Sequence, residues 1–123
     1  MTSASVLLDS VSPLGIRLTS FLITFPRIIL CELNTHRMIS KSSASSRAIP
    51  VKKMINMVME NPYIPGEWGA NQKGMKAESI LSEKESIKSK KEWLKARDSA
   101  VSHAEKLLEI GVHKQLTNRL LEP

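Results

Sequence analysis

Apolar and polar residues change rhythm along this chain, and each change marks an element. Val6-Leu7-Leu8 is a short apolar run that reads as a strand, and Ser12-Pro13-Leu14-Gly15 reads as a turn. From Ile16 to Phe25 the chain is rich in Ile, Leu, Thr and Phe with imperfect alternation, which predicts a second strand. Pro26 then opens a helix, because the first helical position loses nothing by lacking an N–H. Thr24 is placed to cap it. Ile28, Ile29, Cys31 and Leu33 give that helix an apolar pattern, predicting a mostly buried segment to about Met38. On such a helix Glu32, Thr35 and His36 lie near one another, since residues three and four apart are neighbours.

The stretch from Ser40 to Pro50 breaks the pattern: five of its eleven residues are serine. It reads as a flexible linker by composition. Its two cations, its shortness and the helical patterns on both sides argue for a built loop instead. Pro50 opens a helix over Val51 to Glu60, with Met54, Ile55, Val58 and Met59 apolar. Prolines and glycines punctuate Asn61 to Gly74 as a loop, with Tyr63 and Trp68 as its aromatic anchors or as parts of a mobile lid. Ser82-x-x-Glu85 is a capping-box pattern that starts a long helix to about Ile110, stopped by Gly111. Trp93, Ala100 and Leu107, and Leu94, Val101 and Leu108, recur every seven residues, a stripe that calls for a partner helix. His103 on this helix reads as structural or exposed. A last helix runs from His113 to Leu121. The fold class expected is α/β of the α+β kind: a small antiparallel or mixed sheet, flanking helices and one long helix, in a single domain over 1–123.

Composition narrows the setting. A chain of 123 residues suits one domain, and no apolar run approaches the roughly 18 residues of a membrane span. The N-terminus lacks the basic start and apolar stretch of a signal peptide, so a cytoplasmic location is expected. The single cysteine, Cys31, excludes an internal disulfide and a Cys-rich zinc site, and its apolar surroundings predict a buried structural thiol. No metal site is expected. The net charge of +6 favours polyanionic or phosphate-bearing partners. The cluster from Lys84 to Arg97 is interleaved with Glu83, Glu85 and Glu92, which reads as a solvated helix face.

The unusual charge group is the other one. His36, Arg37, Ser40, Ser45 and Arg47 fall within twelve residues. A phosphate or flavin site needs directional cations, hydroxyl donors and free backbone N–H groups. Arginine grips two oxygens with its planar fork, and histidine donates while largely neutral. By residue type alone such a segment could equally bind RNA, sulfate or nothing.

Spacing separates these readings. The stretch Thr35-His36-Arg37-Met38-Ile39-Ser40-Lys41-Ser42-Ser43-Ala44-Ser45-Ser46-Arg47-Ala48 resembles the flavin-dependent thymidylate synthase signature Arg-His-Arg-x-x-Ser-x-Asn-Glu-x-Ser-x-Arg-Tyr. His36, Arg37, Ser40, Ser45 and Arg47 agree in register. Upstream, an apolar strand meets Phe25-Pro26 as in the family. Downstream, Gly111-Val112 through Arg119 to Glu122-Pro123 resembles the family's later Gly-Val helix with its arginine and Leu-Pro ending. The likeness runs from about Ile16 to Pro123, is unmatched in detail in the middle, and is nearest to divergent phage-type members. Thr35 stands where the signature has arginine, Ser42-Ser43 where it has Asn-Glu, Ala48 where it has tyrosine, and Glu32 where a glutamine is usual.

The resemblance implies reductive methylation of dUMP to dTMP, with methylene-tetrahydrofolate giving the carbon and NADPH reducing FAD. It implies that His36 and Arg37 contact FAD, with Thr35 at the boundary and Ser43 touching both ligands. Ser45, Ser46 (through its backbone) and Arg47 would cradle the nucleotide phosphate, and Glu32 would sit near the nucleotide. Arg119 is the second phosphate arginine, with Asn118 competing because the local alignment needs a one-residue shift. It further implies a homotetramer or a complementing C-terminal chain. The family's flavin-contacting asparagine and pyrimidine-activating arginine fall beyond Pro123, so no catalytic residue is assigned. The chain is expected to be a portion truncated at its C-terminus and inactive alone, in the host cytoplasm if phage-encoded. The rival expectation is a non-catalytic basic nucleic-acid-binding or assembly protein derived from that fold. The interleaved glutamates and only five aromatics count against nucleic acid, and no membrane partner is expected.

Overall fold

The structure is a computed structural model that describes residues 2–122. It is α+β, with a two-stranded antiparallel sheet and four α-helices, one of them long. Its packing divides into two compact units, one up to Lys41 and the other from Ser42.

The first unit begins with a hairpin. Strand β1 spans Ser3–Val11 and β2 spans Arg17–Thr24, paired from Ser3↔Thr24 to Val11↔Arg17. Gly15 makes the turn possible: its φ of +79° is left-handed, where a Cβ would be strained. Ser12 closes the turn, its carbonyl accepting from Gly15 N and its hydroxyl from Ile16 N. The register slips between Val6 and Leu8. That bulge at Leu7 explains why three apolar residues in a row belong to one strand: it resets the alternation of faces. On one face Asp9 accepts from Arg17 Nε at 2.9 Å and from the Thr19 hydroxyl at 2.9 Å. The Arg17 guanidinium, then the Thr19 hydroxyl, hold the Asp9 carboxyl below the usual range.

The helix after Pro26 is shorter and more open than its pattern predicts. Pro26 is extended (ψ 136°) and precedes a 3-10 turn, Arg27–Ile29; helix α1 is only Leu30–Thr35. Thr24 does not cap it, since no side chain bonds at that N-terminus. At the other end the Thr35 hydroxyl donates to the Glu32 carbonyl, and Lys41 Nζ donates to the carbonyls of Leu33 (2.9 Å) and His36 (2.6 Å). The last turn's acceptors are thus met by side chains, and the chain leaves the helix at His36 rather than Met38. No described residue of this unit is buried. The expected mostly buried helix and buried thiol are therefore corrected: Cys31 is exposed, because a two-stranded sheet and one short helix enclose no interior.

The second unit holds the core. Helix α2, Val51–Glu60, follows Pro50 as the pattern predicts. Helix α3, Glu83–Ile110, starts at a complete capping box, with Ser82 accepting from Glu85 N and Glu85 accepting from Ser82 N at 3.1 Å. Gly111, φ +90°, ends it in the left-handed conformation. Val51, Met54 and Ile55 pack with Val101, Ala104 and Leu121. The seven-residue stripe splits between two partners. Its C-terminal half meets α2, while Trp93 donates Nε1 to the Tyr63 carbonyl at 2.8 Å and meets Tyr63 and Trp68 edge-on. Tyr63 and Trp68 thus anchor the loop. The final helix is interrupted: α4 is Lys114–Thr117 and the chain tightens into a 3-10 turn, Asn118–Leu121.

Candidate functional site

The signature residues divide between the units. Glu32, Thr35, His36 and Arg37 lie on and just after α1, all exposed. Their backbone is fixed by the helix end and by Lys41, whose ammonium is spent on the two carbonyls. Neither His36 nor Arg37 has a side-chain hydrogen bond or ion pair recorded among the described residues. Ser40 is exposed in the stretch that follows.

Ser43, Ser45, Ser46, Arg47 and Arg119 belong to the second unit. Ser45 caps a 3-10 turn, Ser46–Ala48, accepting from Arg47 N at 3.3 Å. The serine-rich stretch therefore ends in a built turn, one purpose of which is simple capping. Ser46 is buried while Ser45 and Arg47 on either side are exposed, so the turn is rooted by its middle serine. The root is Asn118. It is fully buried, and its Nδ2 donates to the carbonyls of Ser46 at 2.7 Å and Ile49 at 2.8 Å. The amide orientation follows from this network, because the reverse would set an oxygen against two carbonyls. Lys114 adds a longer bond to the Ala48 carbonyl, 3.4 Å.

Asn118 thereby ties together segments 69 and 72 residues apart in sequence. The turn carrying Arg47 packs against the turn carrying Arg119. Asn118 is spent inside the protein, and Arg119 is the exposed side chain of the pair. The clamp was not legible in sequence, because Thr117 and Asn118 sit in a mostly polar segment, His113 to Leu121, that gives no sign of which polar residues are buried. Both are fully buried. Among the described residues the Asn118 Oδ1 has no hydrogen-bond partner, leaving one buried acceptor beside the turns.

Arg47 and Arg119 are thus two exposed arginines on adjoining turns, and guanidinium groups are suited to phosphate oxygens. A separate open groove between α2 and α3 is lined by Lys52, Ile55, Asn56, Glu105, Leu108 and Glu109. It contains no signature residue. Its two glutamates disfavour an anion.

No family model, curated protein or solved structure matches the chain.

Proposed function

We propose that this chain carries the nucleotide- and flavin-binding portion of a flavin-dependent thymidylate synthase, acting on dUMP. The observation that carries the reading is the coincidence of two independent facts. The signature is matched in register at His36, Arg37, Ser40, Ser45 and Arg47, and the second arginine it asks for, Arg119, is on a turn packed against that of Arg47.

In this reading Arg47 and Arg119 hold the nucleotide phosphate, with the Ser45 hydroxyl completing the cradle and the buried Ser46 rooting the turn beneath it. Ser43 reaches both ligands. His36 and Arg37 suit FAD because both are exposed and uncommitted beside the last turn of α1, and Thr35 borders them. When bound, FAD takes reducing equivalents from NADPH and supplies the redox chemistry that converts the carbon of methylene-tetrahydrofolate into a methyl group. The protein's share is binding, orientation and charge. Cys31 has no part in it. Assembly with further copies, or with a complementing chain, fits the apolar side chains that both hairpin faces leave open, among them Val6, Leu8, Phe21 and Leu22.

The test is spectroscopic. Purified with FAD, the chain, alone or with a complementing segment, is expected to be yellow, with a flavin absorbance band that survives gel filtration and is perturbed by dUMP. A colourless protein that neither FAD nor dUMP shifts under any of these conditions would refute the proposal.

A further inference from the structure

Helix α3 carries a second cationic feature that the thymidylate synthase reading does not use. Lys84, Lys88, Lys91 and Lys95 stand at i, i+4, i+7 and i+11, which puts them within about 60° of one another around the axis. All four are exposed. The row is about 16 Å long at 1.5 Å per residue. In sequence the glutamates look interleaved; on the helix Glu83 and Glu85 stand off the row, while Glu92 flanks it one turn on from Lys88. Glu83 and Glu85 lie about 100° to either side of Lys84. Glu85 is occupied by the capping box, its carboxyl held low first by the Ser82 hydroxyl and then by the Ser82 N–H. Glu92, about 80° off, is held by Lys95 at 2.7 Å. The row ends at Asp98, which is paired with Arg97.

Helix stability does not account for this arrangement. Lys84–Lys88, Lys88–Lys91 and Lys91–Lys95 are like-charge neighbours, which weaken a helix. Cations that favour a helix belong in its last turn, and here that turn carries Glu109 and no basic residue. A polyanion laid along the row would relieve the repulsion.

We propose that this lysine face of α3 binds the phosphate backbone of duplex DNA without reading its sequence. Four ammonium groups spread over about 16 Å meet at most four phosphates of a duplex, which carries one charge per about 1.7 Å of axis with both strands counted. A single strand suits it less, because stacking needs free aromatic faces and Trp93 is committed to Tyr63 and Trp68. A membrane surface suits it less, because among the described residues Ile87 is the one large exposed apolar side chain on the lysine side of α3 between Lys84 and Lys95, Trp93 facing the other way, and interfacial helices need a continuous apolar face.

The experiment measures anisotropy of a labelled 20-base-pair DNA duplex from 50 to 200 mM salt, with a single strand of equal length and phosphatidylserine vesicles alongside. Four contacts predict a slope of log K against log salt of about −3 to −4, a fall of about 100-fold across that range. Lys84→Gln, Lys88→Gln, Lys91→Gln and Lys95→Gln combined should abolish most binding and flatten the slope, with helical circular dichroism kept. Glu92→Gln, which frees Lys95, should tighten binding. No duplex binding at 50 mM salt, an unaltered slope in the quadruple variant, or preference for the single strand or the vesicles would overturn the proposal. None of these lysines belongs to the dUMP or FAD reading, so either proposal can fail without the other.

Discussion

Two neighbouring residues, Asn118 and Arg119, do opposite work, and their environments decide which does what. Asn118 is fully buried and gives both amide hydrogens to carbonyls. Asn118→Ala strands the carbonyls of Ser46 and Ile49, and is expected to cost about 2–3 kcal/mol in urea unfolding, the range for buried polar groups left unpaired. A cost below about 0.5 kcal/mol, the level of an ordinary surface change, would show that the clamp is dispensable. Arg47 is exposed and its side chain makes no ion pair among the described residues, so Arg47→Ala should leave stability unchanged. If it holds the dUMP phosphate, its loss should weaken dUMP binding by about 1.5–3 kcal/mol, roughly 10–150-fold, in a calorimetric titration. Equal affinity in the variant would remove Arg47 from the site. Sequence placed both residues near the chemistry, through the signature and the Gly-Val helix. It did not separate clamp from ligand, because burial of a side chain depends on a segment 72 residues away.

The elements that were legible are those whose ends are fixed locally. Helix α3 runs from its capping box to Gly111, as its sequence predicts, because Ser82, Glu85 and Gly111 act on backbone groups within a few residues. Ser82→Ala is expected to lower stability by about 1 kcal/mol, read as a lower denaturation midpoint. The cap is also pH-dependent, and the sign follows from Glu85. Its carboxyl is depressed in the fold, so its contribution is complete above the ordinary glutamate range near pH 4.3 and is lost as pH falls through the depressed value. The advantage of the wild type over Glu85→Gln should therefore shrink below about pH 4.3, followed by helical circular dichroism. An advantage that grows toward acid would contradict this. Helix α1 was less legible. Its apolar pattern promised a longer buried helix, but Thr35 and Lys41 satisfy its last carbonyls early, and no element of its unit covers its apolar side.

Across the whole molecule, protection from water is uneven. The buried apolar residues, Val51, Met54, Ile55, Val101, Ala104 and Leu121, all lie in the second unit. A lone two-stranded hairpin is marginal in water. In the 123-residue chain, amide hydrogen exchange should be slowest around Val101 and Ala104 and much faster throughout β1 and β2. Hairpin amides as slow as those of α3 would mean that the strands are covered, by another copy or another segment. The expected pattern also sets where assembly has most to stabilise, since Leu8, Leu18 and Leu22 are more than half exposed.

The sequence by itself determined the hairpin turn, both caps of the long helix and the span of α2, because each depends on steric or hydrogen-bonding rules acting over a few positions; the candidate ligand residues rest on the resemblance. Only the tertiary structure decided that Cys31 is exposed, that Asn118 is internal and that the turns of Arg47 and Arg119 adjoin, whereas the lysine row of α3 emerged once the continuous helix set the angle between its side chains. The first three depend on which distant segment lies against a residue, which periodicity along one segment does not encode. The last needed a helix continuous from Ser82 onward, since the angle between two side chains has meaning only once the turns between them are formed.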